Sequence, residues 1–271
     1  MSTTIAVAGK GGTGKTTITS LLAKLLAGKG TVLAIDADPS VNLHMALGLE
    51  LPDTIGDIRE ELLAAAHSNN IPAGMSKHDY ITLNVRQALI ESTNLDLLAM
   101  GRPEGPGCYC AANYILRLAI DRLADSYDYV IIDNEAGMEH ISRQTTRDVN
   151  TLILVTDPTV RGVTAAARMQ DLIRDLRTSV GQVSLIVNRV NGAIPPEVDN
   201  VIQSQKLHLL ATIQSDTAVG ELDAAGRPLV ELPPTSPVQQ AVRQLVQDLG
   251  LDRPNEPAVT SGSPKEGTKT Q

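Results

Sequence analysis

The chain has 271 residues, which is at the upper end for one domain and long enough to bury a sizeable core. Its formal net charge is −8 and it contains neither Phe nor Trp, which argues against a nucleic-acid binder that neutralises phosphates with basic residues or stacks bases on aromatic rings. The core must be packed with Leu, Ile, Val and Ala, as is usual for parallel strands buried between helices.

The N-terminal sequence, MSTTIAVAGK, is typical of a strand that runs straight into a loop. It lacks the basic region, apolar run and cleavage site of a signal peptide. No apolar stretch approaches the roughly 20 residues that a membrane-spanning helix needs. We therefore expect a cytoplasmic protein with no membrane partner.

Short apolar runs rich in Val and Ile alternate along the chain with segments whose apolar residues recur at helical spacing. The predicted strands are Ile5–Ala8, Val32–Ile35, Leu95–Met100, Tyr129–Asp133, Leu152–Thr156, Leu185–Val190 and Leu209–Ile213. The clearest predicted helices are Thr16–Ala27, Asn113–Ala124, Ala165–Leu176 and Val238–Leu249. This alternation predicts an α/β fold with a mainly parallel central sheet of about seven to eight strands and helices on both faces.

Two regions depart from this rhythm. Residues 51–93 are polar and weakly helical, and we interpret them as a helical insertion within a single domain that covers residues 1–251. Residues 252–271 are rich in Pro, Gly, Ser and Lys, so they cannot bury enough apolar surface to offset the entropy of ordering. The sequence therefore predicts a disordered C-terminal tail.

The first predicted strand ends in a phosphate-binding loop of the P-loop type, with the sequence GKGGTGKTT over residues 9–17. Its glycines let backbone N–H groups wrap around phosphate oxygens at the positive end of the next helix. Lys15 is expected to reach the β- and γ-phosphates, and Thr16 to offer its hydroxyl to Mg²⁺. The predicted nucleotide-binding residues of this loop are Gly11, Gly12, Thr13, Gly14, Lys15, Thr16 and Thr17.

Acidic residues follow two of the predicted strands. Asp133 ends the run VIID, which is the Walker B pattern of a buried strand that aims a carboxylate at Mg²⁺. Asp36 and Asp38 follow the second strand, at the edge where α/β sheets bind ligands. We expect Thr16, Asp36 and Asp133 to serve the magnesium ion, with Asp36 acting through water. A helix N-cap is the alternative for Asp36 and Asp38.

Lys10 at the start of the loop completes the deviant Walker A motif, K-G-G-x-G-K-T. The chain thereby resembles the ATPase family of MinD, ParA and the nitrogenase iron protein. The resemblance implies a homodimer in which two subunits face each other across two ATP molecules. In it, Lys10 would reach the partner's nucleotide as a catalytic group beside Lys15, Asp38 would orient or activate the attacking water, and Gly12 would have to stay small.

Two further segments match this family. Residues 133–137 fit its second switch, D-x-x-A-G, so Gly137 is expected to turn its N–H toward the γ-phosphate. Asn188 and Arg189 end the sixth predicted strand, where the family uses an Asn amide to recognise the base. Asn191 stands where a GTPase would have the Asp that reads guanine, so adenine is favoured.

The only two cysteines, Cys108 and Cys110, lie in the segment GRPEGPGCYC, beyond the third strand and before a helix. One C-x-C pair in a reducing compartment suggests metal or redox chemistry rather than a disulfide framework. One C-x-C pair supplies two thiolates, whereas a closed site for a soft metal requires four ligands. A two-fold dimer would bring two such loops to one axis and provide four sulfurs for Ni²⁺ or Zn²⁺.

Together with the run DNEAGMEH at residues 133–140, this segment resembles the CooC/AcsF group of ATPases, which mature the nickel centres of carbon monoxide dehydrogenase and acetyl-CoA synthase. The resemblance implies an ATP-hydrolysing metallochaperone that uses ATP, Mg²⁺ and Ni²⁺, with one of those two enzymes as its client.

Two alternatives remain. One is a positioning ATPase of the ParA or MinD kind, and the other is an electron-transfer ATPase that bridges an iron–sulfur cluster. The sequence leaves open which client is served, whether nickel or zinc is bound, and whether ATP or metal binds first. It also leaves open the roles of the 51–93 insertion and of His140.

Overall fold

A computed structural model describes residues 2–51, 53–68, 77–102, 110–136, 148–175 and 179–251. The described chain contains seven strands: β1 Thr3–Gly9, β2 Val32–Ala37, β3 Leu95–Ala99, β4 Tyr129–Asn134, β5 Asp148–Thr156, β6 Ser179–Val190 and β7 Leu209–Gln214. Its α-helices are α1 Lys15–Ala27, α2 Leu43–Leu47, α3 Ile55–Ser68, α4 Lys77–Gln87, α5 Cys110–Leu123, α6 Val160–Asp175, α7 Pro196–Ser204, α8 Thr217–Ala224 and α9 Pro237–Asp248, and two short 3-10 helices span Ala124–Ser126 and Leu229–Glu231.

The strands form one sheet in the order β3-β2-β4-β1-β5-β6-β7, and every neighbouring pair is parallel. The predicted fold is therefore confirmed, since each predicted apolar run lies on one of these strands. The edge strand β3 leads toward the cysteine segment, and β1 lies between β4 and β5.

Both faces of the sheet are buried, as a parallel sheet between helices requires. Along β1, Ile5 and Val7 belong to one hydrophobic cluster, while Ala6 and Ala8 belong to the other. Helices α1 and α9 contribute to the first cluster, and α5 and α6 contribute to the second. The alternation of side chains along each strand thus builds two cores that hold the sheet rigid beneath its loops.

In the segment 51–93, the described residues contain α3 and α4. Thr54 precedes α3 and caps it reciprocally. The Asp57 N–H donates to the Thr54 hydroxyl oxygen at 3.3 Å, and the Asp57 carboxylate accepts from the Thr54 N–H at 2.8 Å and the Thr54 hydroxyl at 2.7 Å. Such capping satisfies N–H groups that the helix start leaves unpaired. Residues 252–271, for which we predict disorder, lie outside the described part of the chain.

Within the residues described, no helix combines the length and the apolar character needed to cross a bilayer.

Candidate nucleotide and metal site

The candidate site lies at the carboxyl-terminal edge of the sheet, where β1, β2 and β4 end. Because these strands are parallel neighbours, their terminal residues meet at one edge. Asp36 of β2 lies directly across from Asp133 of β4 in the strand register. Open α/β sheets bind ligands at this edge, next to the start of the following helix.

The phosphate loop connects β1 to α1, and its own polar groups hold it in shape. The Thr13 hydroxyl donates to the Lys10 carbonyl at 2.9 Å, and the Lys15 ammonium donates to the same oxygen at 3.3 Å. Gly14 has φ 93°, which favours glycine, and Lys15 begins α1. The Lys10 side chain is exposed whereas Lys15 is buried. The two lysines therefore have different surroundings, and their separate roles stay predictions.

Asp133 joins the end of β4 to the first turn of α1. Its carboxylate accepts a hydrogen bond from the Thr16 hydroxyl at 2.6 Å and another from the Thr19 hydroxyl at 3.3 Å. A carboxylate beside a hydroxyl offers the oxygen ligands that Mg²⁺ prefers. Thr16 and Asp133 therefore fit a magnesium ion, and their role as its ligands stays a prediction.

Asp36 organises the loop that follows β2. One of its oxygens accepts from the Asp38 N–H at 3.1 Å, and the other accepts from the N–H groups of Asn42 at 2.9 Å and Leu43 at 2.8 Å. Both oxygens are thus occupied by backbone donors, one in the loop after β2 and two at the start of α2. Asp36 fixes the path of the loop that carries Asp38, while its proposed contribution to the magnesium shell through water stays a prediction.

The site brings together charged side chains that are buried, among them Lys15, Asp36 and Asp133. Burial raises the pKa of Asp133 to about 7 and that of Asp36 to about 6, and the nearby charge of Asp36 adds to the rise at Asp133. Burial lowers the pKa of Lys15, but the charges of Asp133, Asp38 and Glu135 oppose that effect. The negative charges of these three carboxylates therefore favour the charged form of Lys15.

Asn188 at the end of β6 supports the phosphate loop from the other side. Its amide N–H₂ donates to the Thr13 carbonyl at 2.8 Å, and its amide oxygen accepts from the Arg189 N–H at 2.9 Å. Arg189 is exposed and has φ 58°, where the pairing of β6 with β7 is irregular between Val187 and Val190. These contacts place Asn188 and Arg189 beside the loop, and their role in reading the base stays a prediction.

Comparison with known proteins matches this arrangement to one family. The nucleotide-binding domain of CobQ, CobB, MinD and ParA matches residues 4–229. The chain belongs to this family. Its members are ATP-binding P-loop ATPases, so the chain is an ATPase of the ParA and MinD type.

Similarity to individual proteins agrees with the family assignment. An uncharacterized ATP-binding protein of Methanocaldococcus jannaschii is 42% identical, over 90% of this chain and 97% of its own length. The carbon monoxide dehydrogenase accessory protein CooC of Rhodospirillum rubrum is 32% identical, over 83% of this chain and 90% of its own. The crystal structure of the Pyrococcus furiosus cell division ATPase MinD is 26% identical with a TM-score of 0.66, covering 93% of this chain and 99% of that one.

Three predicted site residues fall wholly or partly outside the described part of the chain. Gly137 and Cys108 lie outside the described residues. Cys110 is the first residue of α5, and only its backbone is described. Because α5 follows the edge strand β3, the segment that contains both cysteines begins at the same edge of the sheet as the nucleotide site. Among the described side chains, no group of three or more His, Cys, Asp or Glu could hold a metal ion.

The structure adds residues that the sequence alone did not reveal. Thr19 binds Asp133, and its position one helical turn after Thr16 is a spacing that could have suggested it. Asn134 is buried, and its amide donates to the Val7 carbonyl at 3.0 Å, which ties β4 to β1 at the edge. Glu135 lies near enough to Lys15 to affect its pKa. The family's phosphate site is thus supported by more polar groups than its motif contains.

Gly9 gives a stability prediction that separates backbone conformation from close packing. Gly9→Ala should lower the free energy of unfolding by about 3 kcal/mol or more, because the new Cβ would lie 2.1 Å from the Val155 carbonyl oxygen and φ is already +151°. Gly192 is the matched control, since it has φ +82° and an added Cβ would meet nothing within 4 Å. Gly192→Ala should cost about 1–2 kcal/mol. Urea unfolding measures both, and equal losses would contradict the close approach of β1 to β5.

Proposed function

We propose that this ATPase is a metallochaperone that binds Ni²⁺ between two subunits through Cys108 and Cys110 and assists its insertion into carbon monoxide dehydrogenase or acetyl-CoA synthase. The observation that carries the proposal is the C-x-C pair of Cys108 and Cys110 in a segment that follows β3, a strand that ends at the same edge of the sheet as β2 and β4. The 32% identity with a carbon monoxide dehydrogenase accessory protein supports it.

The chemistry assigns a separate task to each residue of the site. Lys15 binds the β- and γ-phosphates of ATP, and Thr16 and Asp133 hold the Mg²⁺ that neutralises phosphate charge. Asp38 orients the attacking water, and Lys10 reaches the nucleotide of the partner subunit. Gly137 senses the γ-phosphate, while Asn188 and Arg189 lie beside the base.

We expect metal binding to be coupled to ATP binding, because Asp36 contacts both the loop that carries Asp38 and the end of β3. The Asp36 carbonyl accepts a hydrogen bond from the Met100 N–H at 2.7 Å, just before the cysteine segment, while the Asp36 carboxylate holds the loop with Asp38. One residue thus contacts both the nucleotide switch loop and the strand end that leads to the metal loop. If ATP closes the dimer, it should raise metal affinity, and by linkage metal should raise ATP affinity.

The deciding experiment is an anaerobic Ni²⁺ titration of the metal-free protein, with and without a non-hydrolysable ATP analogue. We expect about one Ni²⁺ per two chains, with thiolate charge-transfer absorption and tighter binding in the presence of the analogue. The double variant Cys108→Ser, Cys110→Ser should lose this binding while retaining nucleotide. His208→Asn, which removes an exposed imidazole, is the matched control and should bind Ni²⁺ as the wild type does. Binding that survives without the cysteines would reject the metallochaperone role.

A positioning ATPase is the second candidate, and the fold similarity to the Pyrococcus furiosus MinD structure favours it. Such a protein would move between a surface and solution as ATP is bound and hydrolysed. Co-sedimentation with anionic liposomes or with DNA, in ATP and in ADP, distinguishes a positioning ATPase from a metallochaperone. ATP-dependent sedimentation together with no cysteine-dependent Ni²⁺ binding would favour a positioning ATPase.

The iron–sulfur alternative has its own signature. A brown protein absorbing at roughly 400 nm after anaerobic purification would indicate an iron–sulfur cluster.

A further inference from the structure

A groove between α4 and α5 combines an apolar floor with positive charge at its mouth. The two helices pack side by side, and the cavity between them has a volume of about 260 Å³. Val85 of α4 and Leu118 and Ala119 of α5 line the floor. The arginines Arg86 and Arg122 line the same cavity. This groove is away from the nucleotide site, and none of the residues predicted to bind ATP lines it.

The two arginines are available to an outside partner. Arg86 is exposed and forms no ion pair with any residue in the described ranges. Arg122 is also exposed, and its guanidinium donates to the Thr82 hydroxyl, which holds it over the groove. The nearby Asp121 carboxylate pairs instead with Arg117, and neither residue lines the cavity. Two cations therefore remain over an apolar cavity on a chain whose net charge is −8.

Two exposed apolar side chains lie next to groove-lining residues on the same two helices. Tyr114 is 57% exposed and lies one turn before Leu118 on α5, so the two occupy neighbouring places on one helix face. Leu83 is 45% exposed and lies beside Arg86 on α4. Large apolar side chains exposed around a pocket with a charged rim are typical of protein–protein contact sites.

We propose that this groove docks an acidic amphipathic helix of a partner protein, which inserts an apolar side chain between α4 and α5 and pairs its carboxylates with Arg86 and Arg122. The cavity is smaller than the roughly 300–1,000 Å³ of most small-molecule sites, but one large apolar side chain fills such a pocket as an interface anchor. Guanidinium groups pair well with carboxylates, which explains the preference for an acidic partner.

The groove lies on the helix that begins with Cys110. Leu118 follows Cys110 by eight residues on the same helix, which places the groove about 12 Å along the axis from the start of α5. A protein docked there would lie about two helical turns from Cys110. The inference that this partner is the enzyme that receives the metal rests on the proposed function, whereas the docking of an acidic helix does not.

Two designed helices test the groove. One is a fluorescein-labelled helix with a Leu stripe flanked by Glu, and the other has Lys in place of every Glu. Fluorescence anisotropy should show binding of the Glu helix to the full chain, weakened by added salt. The double variant Arg86→Glu, Arg122→Glu should bind the Glu helix at least about tenfold more weakly and should now prefer the Lys helix. Arg168→Glu reverses an exposed charge on α6 and should have no effect.

Further measurements separate this proposal from the others. Both charge-reversed proteins should retain ADP binding, which shows that they fold. The Cys108→Ser, Cys110→Ser variant should bind the Glu helix like the wild type, so failure of the nickel proposal leaves this one standing. No binding of the Glu helix, or equal binding by wild type and reversed variant, would overturn the proposal. A change in self-association of the Arg86→Glu, Arg122→Glu variant in sedimentation would assign the groove to a second copy and also overturn it.

Discussion

Replacing Lys10 by alanine should leave nucleotide binding intact and lower ATP turnover by about 10³–10⁵-fold, the contribution that a finger residue from a partner subunit makes in phosphoryl transfer. The Lys10 side chain is exposed, whereas its backbone carbonyl accepts the hydrogen bonds from Thr13 and Lys15. Alanine retains that carbonyl, so the loop should keep its shape while the ammonium is lost. Calorimetry with ADP and steady-state ATP hydrolysis measure the two effects separately.

Lys24→Ala is the matched control, since it removes an exposed lysine from the last turn of α1 and should not change turnover.

Mixing two inactive variants tests whether Lys10 acts across the dimer. The Asp38→Ala variant should also be inactive, but a mixed dimer of the two variants has one complete site. Equal mixing should restore about a quarter of the wild-type rate, because half of the dimers are mixed and each has one working site of two. Normal turnover of Lys10→Ala, or no recovery on mixing, would reject the assignment.

The sheet could be predicted because its strands are buried on both faces. Continuous runs such as Val130–Ile132 have no competing interpretation once helical segments alternate with them. The prediction was less complete where burial is partial. The run predicted for β6 began at Leu185, but the strand begins at Ser179. Its first half, SVGQV, alternates half-buried valines with exposed small or polar residues and pairs with β5 through the backbone, so it shows no continuous apolar run. Short helices such as α2 gave no periodic signal over five residues.

The sequence motifs predicted which residues belong to the candidate site, but they did not predict the hydrogen bonds between those residues. The order of Lys15, Asp38 and Asp133 along the chain indicated which residues meet at the edge of the sheet. The sequence could not show that the Asp36 carboxylate would be engaged by three backbone N–H groups, because that depends on how the loop after β2 folds back. Nor could it show that the Asn188 amide supports the Thr13 carbonyl, a contact between residues 175 positions apart.

The Asp133→Asn variant should be more stable than the wild type at pH 8 without nucleotide, yet lose most of the Mg²⁺-dependent gain in stability with ADP. Burial raises the pKa of Asp133 from 3.8 to about 7. The folded state therefore holds a proton that the unfolded state releases between those values, so the free energy of unfolding should fall as pH rises through this window. Asparagine stays neutral at every pH, so the variant escapes this loss at pH 8.

Thermal unfolding from pH 5 to pH 8 measures this effect, at about 2–4 °C per kcal/mol for a chain of this size. The wild type should lose more stability than the variant over the range, while Asp36, whose pKa is about 6, leaves the variant some residual slope. Mg²⁺ requires the ionised carboxylate, so Mg²⁺ and ADP should stabilise the wild type more at pH 8 than at pH 5. Asp171→Asn, an exposed isosteric change on α6, should follow the wild type throughout. If Asp133→Asn shows the wild-type pH slope and the wild-type response to Mg²⁺, Asp133 neither carries the buried charge nor holds the metal.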